Sequence, residues 1–127
     1  MGSNLKIYEM LTQIKNSQTA RKSFAVCSKT KLGLKILKIL FEENFILQPF
    51  IKNNKVIVPL LYRKNKPSIK QIQFFSKPQK FISLTKFELW KFDKASNLLI
   101  LSTKKGFMSS RQAKKIHQGG VIFCSIN

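Results

Sequence analysis

Cations outnumber anions 24 to 5 in this chain of 127 residues, giving a formal net charge of +19 at neutral pH. Any compact fold must hold that charge on a small surface, where it repels itself. Two courses are open to such a chain: it stays unfolded, or it folds and meets a polyanion. Composition decides between them, because 43% of the residues are apolar and a disordered, highly charged segment lacks the means to build a core. The length suits one small domain or two subdomains. Nucleic acid is the expected partner, since each neutralised phosphate releases a counterion; an anionic membrane ranks behind it. No apolar run approaches the roughly 18 to 20 residues of a membrane span, and Lys35 and Lys38 interrupt the longest stretches.

All but three of the cations are Lys, the exceptions being Arg21, Arg63 and Arg111. Residues with AT-rich codons (Phe, Ile, Asn, Lys) crowd the chain, while Gly (5) and Pro (4) are scarce. The gene is therefore expected to be AT-rich, as in many organelle genomes, and part of the Lys excess is read as mutational bias. Cys27 and Cys124 stand far apart with only His117 as a further candidate ligand, short of the roughly four a zinc site needs. The expectation is two buried free thiols in a reducing compartment, with no metal and no cofactor. The start of the chain shows neither a secretory apolar core nor an Arg-rich presequence.

Leu5, Tyr8, Leu11 (or Thr12) and Ile14 (or Lys15) recur at helical spacing, which predicts a helix over 4–19 capped by Ser3 or Asn4. Residues 23–27 (SFAVC) read as a strand. A second helix is expected over 31–43, capped by Thr30 or Ser28, with Leu32, Ile36, Ile39 and Leu40 inward and Lys31, Lys35 and Lys38 on a basic flank. Asn44 suits the left-handed position that ends helices. Strands over 45–52 and 55–62 are joined by Asn53-Asn54, which tolerates the positive φ of a tight hairpin; Pro49 and Pro59 place parts of them at an edge or bulge. The polar stretch 63–68 reads as a boundary. Beyond it, strands are expected over 69–75, 80–84, 98–101 and 121–126. Residues 85–97 are ambiguous. A loop is expected over 102–106 and a short helix from Ser109, with Gln112 in capping-box spacing and Gly119-Gly120 at its end.

Acid–base catalysis needs positioned proton carriers, and the carboxylates are only Glu9, Glu42, Glu43, Glu88 and Asp93. Glu42 and Glu43 are adjacent and diverge, and His117 near a helix C-terminus is explained by the helix dipole. No phosphate loop, GxSxG or HExxH is present, so no enzyme is expected. Ser102-Thr103-Lys104-Lys105-Gly106 differs in kind. Its two hydroxyls can hydrogen-bond bases and sugars, its ammonium groups suit phosphates, and Gly106 allows close backbone approach. A helix starting just after it would offer free N–H groups to an anion. The competing interpretation is an ordinary solvated loop. Further basic positions are Ser76-Lys77-Pro78-Gln79-Lys80, Lys29-Thr30-Lys31, and Lys15 with Asn16; each alone reads as a solvated face, and together they could line one surface. Phe74, Phe75, Tyr62 and Trp90 are candidates for base stacking, although Phe in apolar runs is more often core.

These motifs resemble those of the bacterial-type family of small-subunit ribosomal protein number eight. EMLTQIKNSQ (9–18) is similar to the family's opening helix, DMLTRIRNAQ, and KILKILFEENFI (35–46) to its second helix, which ends in EEGFI. Ser76-Lys77-Pro78 is similar to its ISKPG turn. ILSTKKGFMSSRQAKKIHQGGVIFC (100–124) is similar, without a gap, to IISTSKGVMTDKEARKLGVGGEVIC. The resemblance covers nearly the whole chain. It implies binding to the central domain of small-subunit ribosomal RNA, with the Ser-Thr-Ser loop making the most specific contacts at a distorted minor groove. That role would fall to Ser102 and Thr103, with Gly106 shaping the turn and Ser76, Lys77 and Pro78 beside them. Thr12, Lys15, Asn16 and the basic start of the second helix would contact the backbone. Lys104 stands where the family has its second Ser, Val121 where it has Glu, Ala95 and Asn97 where it has Gly, and Phe107 where it has a smaller aliphatic residue. These departures imply a diverged organellar ribosome.

The expected fold is α+β with two subdomains: residues 1–65 as α-β-α-β-β, and 66–127 mainly β with one short helix. The expected function is structural: a constituent of the small ribosomal subunit that binds its RNA and supports assembly. Expected RNA contacts are Ser102, Thr103, Lys104, Lys105, Gly106, Ser76, Lys77, Pro78, Lys80, Thr12, Lys15, Asn16, Lys29 and Lys31. Expected partners are small-subunit ribosomal RNA and neighbouring ribosomal proteins, with no membrane. The expected location is the mitochondrion, with a plastid or an AT-rich bacterium as runner-up. The rivals are a free nucleic-acid-binding module outside the ribosome and a basic protein held on membranes.

Overall fold

The computed structural model describes residues 2–74, 83–84 and 98–127. The chain divides into two compact units, Met1–Lys70 and Gln71–Asn127.

The first unit is helix and sheet. Helix α1 (Gly2–Thr19) is followed by strand β1 (Phe24–Ser28), helix α2 (Lys31–Glu42), and strands β2 (Phe50–Lys52) and β3 (Lys55–Pro59). The three strands form an antiparallel sheet in the order β1-β3-β2. Alternation along β1 and β3 sends Ala25, Cys27, Val56 and Val58 inward, in one core with Ile7, Leu11 and Ile14 of α1 and Ile36, Leu37 and Leu40 of α2. The buried stripe of α1 is Ile7, Met10, Leu11, Ile14 and then Gln18, rather than the expected one through Tyr8, which is half-buried. Gln18 continues the spacing with a polar side chain, and periodicity read from apolar residues alone drifts to the wrong flank. Its amide donates to Leu61 O at 2.9 Å and Ser68 Oγ at 3.1 Å. In α2 the inward residues are Gly33, Ile36, Leu37 and Leu40, so Leu32 and Ile39 sit on the flanks.

Thr30 is the N-cap of α2 and its hydroxyl accepts from Gly33 N. The hairpin turn at Asn53-Asn54 is as expected, with φ 51 and 62° at the two Asn, the requirement of a type I′ turn. The strand expected over 45–52 is shorter, because Pro49 has no N–H to give to a ladder. Upstream of it only the Ile46–Leu60 bridge and a Leu47 N–H bond to Pro59 O survive.

The stretch 63–68, read as a polar boundary, is taken up through Pro67 by a second hairpin. Strands β4 (Tyr62–Arg63) and β5 (Lys66–Pro67) flank Lys64 and Asn65, with φ 52 and 64°. This hairpin ties down both helix ends. Tyr62 Oη donates to Lys22 O at 2.5 Å, the Arg63 guanidinium donates to Asn44 O at 2.8 Å, and the Arg21 guanidinium donates to Asn65 O.

The described residues of the second unit hold a five-stranded antiparallel sheet. It comprises β6 (Ile72–Phe74), β7 (Ser83–Leu84), β8 (Leu98–Thr103), β9 (Gly106–Ser109) and β10 (Gly120–Ile126), with the short helix α3 (Ser110–Lys115) between the last two. Strand β10 pairs with β6 and β7 on one side and β8 on the other, and β9 pairs with β8. Leu98–Leu101 is buried throughout, as the LLIL run implied. One face packs Leu99, Leu101, Met108 and Ile122 with Ala113 of α3. On the other face, Phe123 occupies an irregularity between Ile122 and Cys124. Its ring meets Phe107 edge-on at 5.3 Å and Phe74 at 6.1 Å. Among the described residues the architecture is the expected α+β one, helices with strands in the first unit and mainly strands with one short helix in the second.

Candidate nucleic-acid interface

Ser102 and Thr103 are the last residues of β8, and their side chains point to opposite faces of the sheet. Ser102 is exposed. Its cross-strand neighbours are Val121 on β10 and Phe107 on β9, so a solvent-facing hydroxyl stands between two apolar side chains. No hydrogen bond engages it among the described residues. Thr103 is different. Its hydroxyl donates to Gly106 O at 2.8 Å and accepts from Lys105 N–H at 3.1 Å. A hydroxyl has one proton to donate, and here that proton is committed within the turn. Of the two hydroxyls expected to face a ligand, one is available and the other fixes the turn.

Lys104 and Lys105 form that turn and are exposed. Gly106 follows with φ 104°, a conformation that a side chain resists. The segment expected as a loop leading into a helix is thus a β-hairpin, and β9 stands between the turn and α3. The N–H groups of α3 are not placed at the turn. The Gln112 N–H is accepted by Ser109 Oγ at 3.2 Å, and Ser109 is itself buried. The sequence GFMS gave no strand signal, because Gly opens it and only two apolar residues follow.

Gly120 supports the same site. A Cβ at this position would lie 2.7 Å from Ser102 O and 2.8 Å from Thr103 Cγ2, far inside van der Waals contact. Only a residue without a side chain lets β10 lie against the end of β8. The Gly119-Gly120 pair signalled the end of the helical region, but not this close approach.

The basic start of α2 places Lys29 and Lys31, both exposed, on either side of the capping Thr30. On α1, Thr12 and Asn16 are exposed one turn apart and line an open groove of about 640 Å³ with Tyr8, Glu9, Gln13, Ser17, Ala20 and Lys22. Lys15 is half-buried and does not line it. Sequence reading missed Gln13 and Lys22 here. Gln13 does double duty, its amide donating to Val26 O and covering the free edge of β1. Ser76, Lys77, Pro78 and Lys80 lie outside the described residues, as do Phe75 and Trp90. Tyr62 and Phe74, considered for stacking, are engaged inside the fold, through the Lys22 carbonyl and the Phe123 ring respectively.

Cys27 and Cys124 are buried free thiols. Burial pushes them up to about 11 and about 12. Among the described residues no group of three or more His, Cys, Asp or Glu could hold a metal, and no helix is long and apolar enough to cross a membrane.

The family model described as ribosomal protein S8 matches residues 6–127. Among curated proteins, the chain is similar to the small ribosomal subunit protein uS8 of Coxiella burnetii (strain RSA 331 / Henzerling II), 32% identical over 125 residues covering 95% of this chain and 96% of that protein. It is similar to the small ribosomal subunit protein uS8c of Chlorella vulgaris, 37% identical over 136 residues covering 97% and 98%. The uS8 of Baumannia cicadellinicola is 34% identical over 125 residues, covering 94% and 95%. With a family match over nearly its whole length and relatives of its own size, this chain belongs to the ribosomal protein S8 family.

Proposed function

We propose that the chain is a non-catalytic structural constituent of the small ribosomal subunit that binds the central domain of small-subunit ribosomal RNA and supports its assembly. The observation that carries this reading is the β8–β9 hairpin. It combines an exposed Ser102 hydroxyl, flanking apolar side chains, and two exposed ammonium groups on a turn locked by Thr103. A distorted minor groove offers the complement: 2′-hydroxyls and displaced base edges for the Ser, an apolar contact for Val121, phosphates for Lys104 and Lys105. Positive charge without a fixed hydroxyl would bind any duplex, so Ser102 carries the discrimination.

The reading further assigns RNA contacts to Ser76, Lys77, Pro78 and Lys80, and contacts with the RNA backbone to Thr12, Lys15 and Asn16 and to Lys29 and Lys31. It assigns neighbouring ribosomal proteins as further partners. The AT-rich residue usage fits an organelle-encoded chain, and the reading takes a mitochondrial ribosome first, with a plastid or an AT-rich bacterium as the runner-up. Sedimentation of a lysate with and without nuclease tests the reading. The chain should travel with small-subunit particles and leave them when the RNA is digested. A chain that stays free of particles would be a nucleic-acid-binding module outside the ribosome, and one that stays on vesicles after nuclease would be a membrane protein.

A further inference from the structure

The outward face of the β1-β3-β2 sheet carries an arrangement that the hairpin reading leaves unused. Residues directly opposite in the register share a face. Val26, Ile57 and Phe50 therefore form one row across the three strands, with Phe24 two residues away on β1 on the same face. Three of these side chains are exposed, Phe24 by 50%, Phe50 by 51% and Val26 by 38%, while Ile57 between them is half-buried. By strand spacing the two Phe stand roughly 12 Å apart, too far to stack on each other, so each leaves its ring for something else. The next row is Ser28, Lys55 and Lys52. Lys52 and Lys55 are direct cross-strand partners, and like charges so placed repel. No carboxylate lies in any of the three strands.

A protein neighbour could cover the apolar row, but it leaves the opposed ammonium pair beside that row unexplained. A polyanion with flat apolar rings accounts for both. We propose that this face is a second RNA-binding site, which takes unpaired nucleotides: bases stack on Phe24 and Phe50, and phosphates lie along Lys52 and Lys55. The site rests on the reading of the chain as an RNA-binding protein but is independent of the Ser102 hairpin.

The test uses the full chain and an oligouridylate of about ten nucleotides as probe, within the range such sites occupy. Replacing Phe24 and Phe50 by Leu keeps apolar surface and removes the rings; replacing both by Tyr keeps the rings. The Leu pair should lose about tenfold or more in affinity, in line with the usual worth of base–aromatic stacking, and the Tyr pair should stay within about twofold. Lys52→Gln with Lys55→Gln should flatten the salt dependence by about 1.4 in the log–log slope. Ser102→Ala should leave oligouridylate binding unchanged, which separates this site from the hairpin. If the Leu pair binds oligouridylate as the parent does, the proposal is overturned. Unchanged oligouridylate binding together with loss of a protein neighbour from purified particles would give the face to protein instead.

Discussion

Two adjacent hydroxyls at the end of β8 illustrate how much a single residue's surroundings decide. In the one-dimensional motif Ser102 and Thr103 are equivalent; in the fold one faces solvent and the other closes a turn. Their substitutions should therefore separate. Ser102→Ala should weaken binding to the cognate RNA by about 1 to 3 kcal/mol and leave the melting temperature unchanged. Thr103→Val, which keeps shape and deletes the hydroxyl, should lower stability by about 1 kcal/mol and expose the Lys105 amide to hydrogen exchange. Equal loss of RNA affinity without that exposure would show that Thr103 also touches the ligand. A second case concerns helix ends. The three helices among the described residues close with the same paired bonds, running from the second and third residues beyond the end back into the last turn. The left-handed position is held by Arg21, Asn44 and His117, with φ 61, 64 and 55°. None is glycine, in keeping with the scarcity of Gly in the chain. His117 is exposed, and among the described residues no hydrogen bond is seen from its ring. His117→Gly should raise stability by about 1 kcal/mol, read by chemical denaturation. Arg21→Gly should gain less, because the Arg21 guanidinium also binds Asn65 O.

At the scale of elements, legibility followed local chemistry. The Thr30 and Ser109 caps, the Asn44 terminus and the Asn53-Asn54 turn were readable, because each is dictated by a residue acting on backbone within a few positions. The β4–β5 hairpin was not. Lys64 is an unusual residue for a left-handed turn, and what holds it there is distant: Arg21 just beyond α1, and Asn44 just beyond α2. Strand β9 was missed for the same reason. It exists because β8 offers it a ladder from Ile100 to Thr103, not because GFMS favours extension. At the site, the sequence placed the hairpin's residues but not its geometry, and the step from turn directly to helix N-terminus was wrong. Gly120 tests the element-level account. Gly120→Ala forces a methyl against the Ser102 carbonyl and should cost about 1 to 3 kcal/mol in stability. It should also reduce RNA affinity although Gly120 offers no side chain to bind. Normal stability in that variant would mean that β10 and β8 separate easily there.

For the whole molecule, two buried thiols and a large net charge set the response to solution conditions. Both Cys are raised from 9.0, to about 11 and about 12, by burial. The folded state thus holds protons that the unfolded state releases near pH 9. Stability from this source is complete below pH 9 and falls as pH climbs toward 11 to 12. Replacing Cys27 and Cys124 by Ala should flatten that alkaline decline, as followed by urea unfolding at several pH values. The net charge of +19 predicts steeply salt-dependent RNA binding. The separation of roles predicts that Lys104→Gln lowers the salt slope with little loss of discrimination, while Ser102→Ala leaves the slope and loses discrimination. The most direct measurement is photo-cross-linking from position 102 within purified small-subunit particles. The account predicts cross-links to ribosomal RNA at one internal region, with nothing comparable from an exposed control such as position 117. Cross-links to protein alone, or none to any nucleotide, would contradict it.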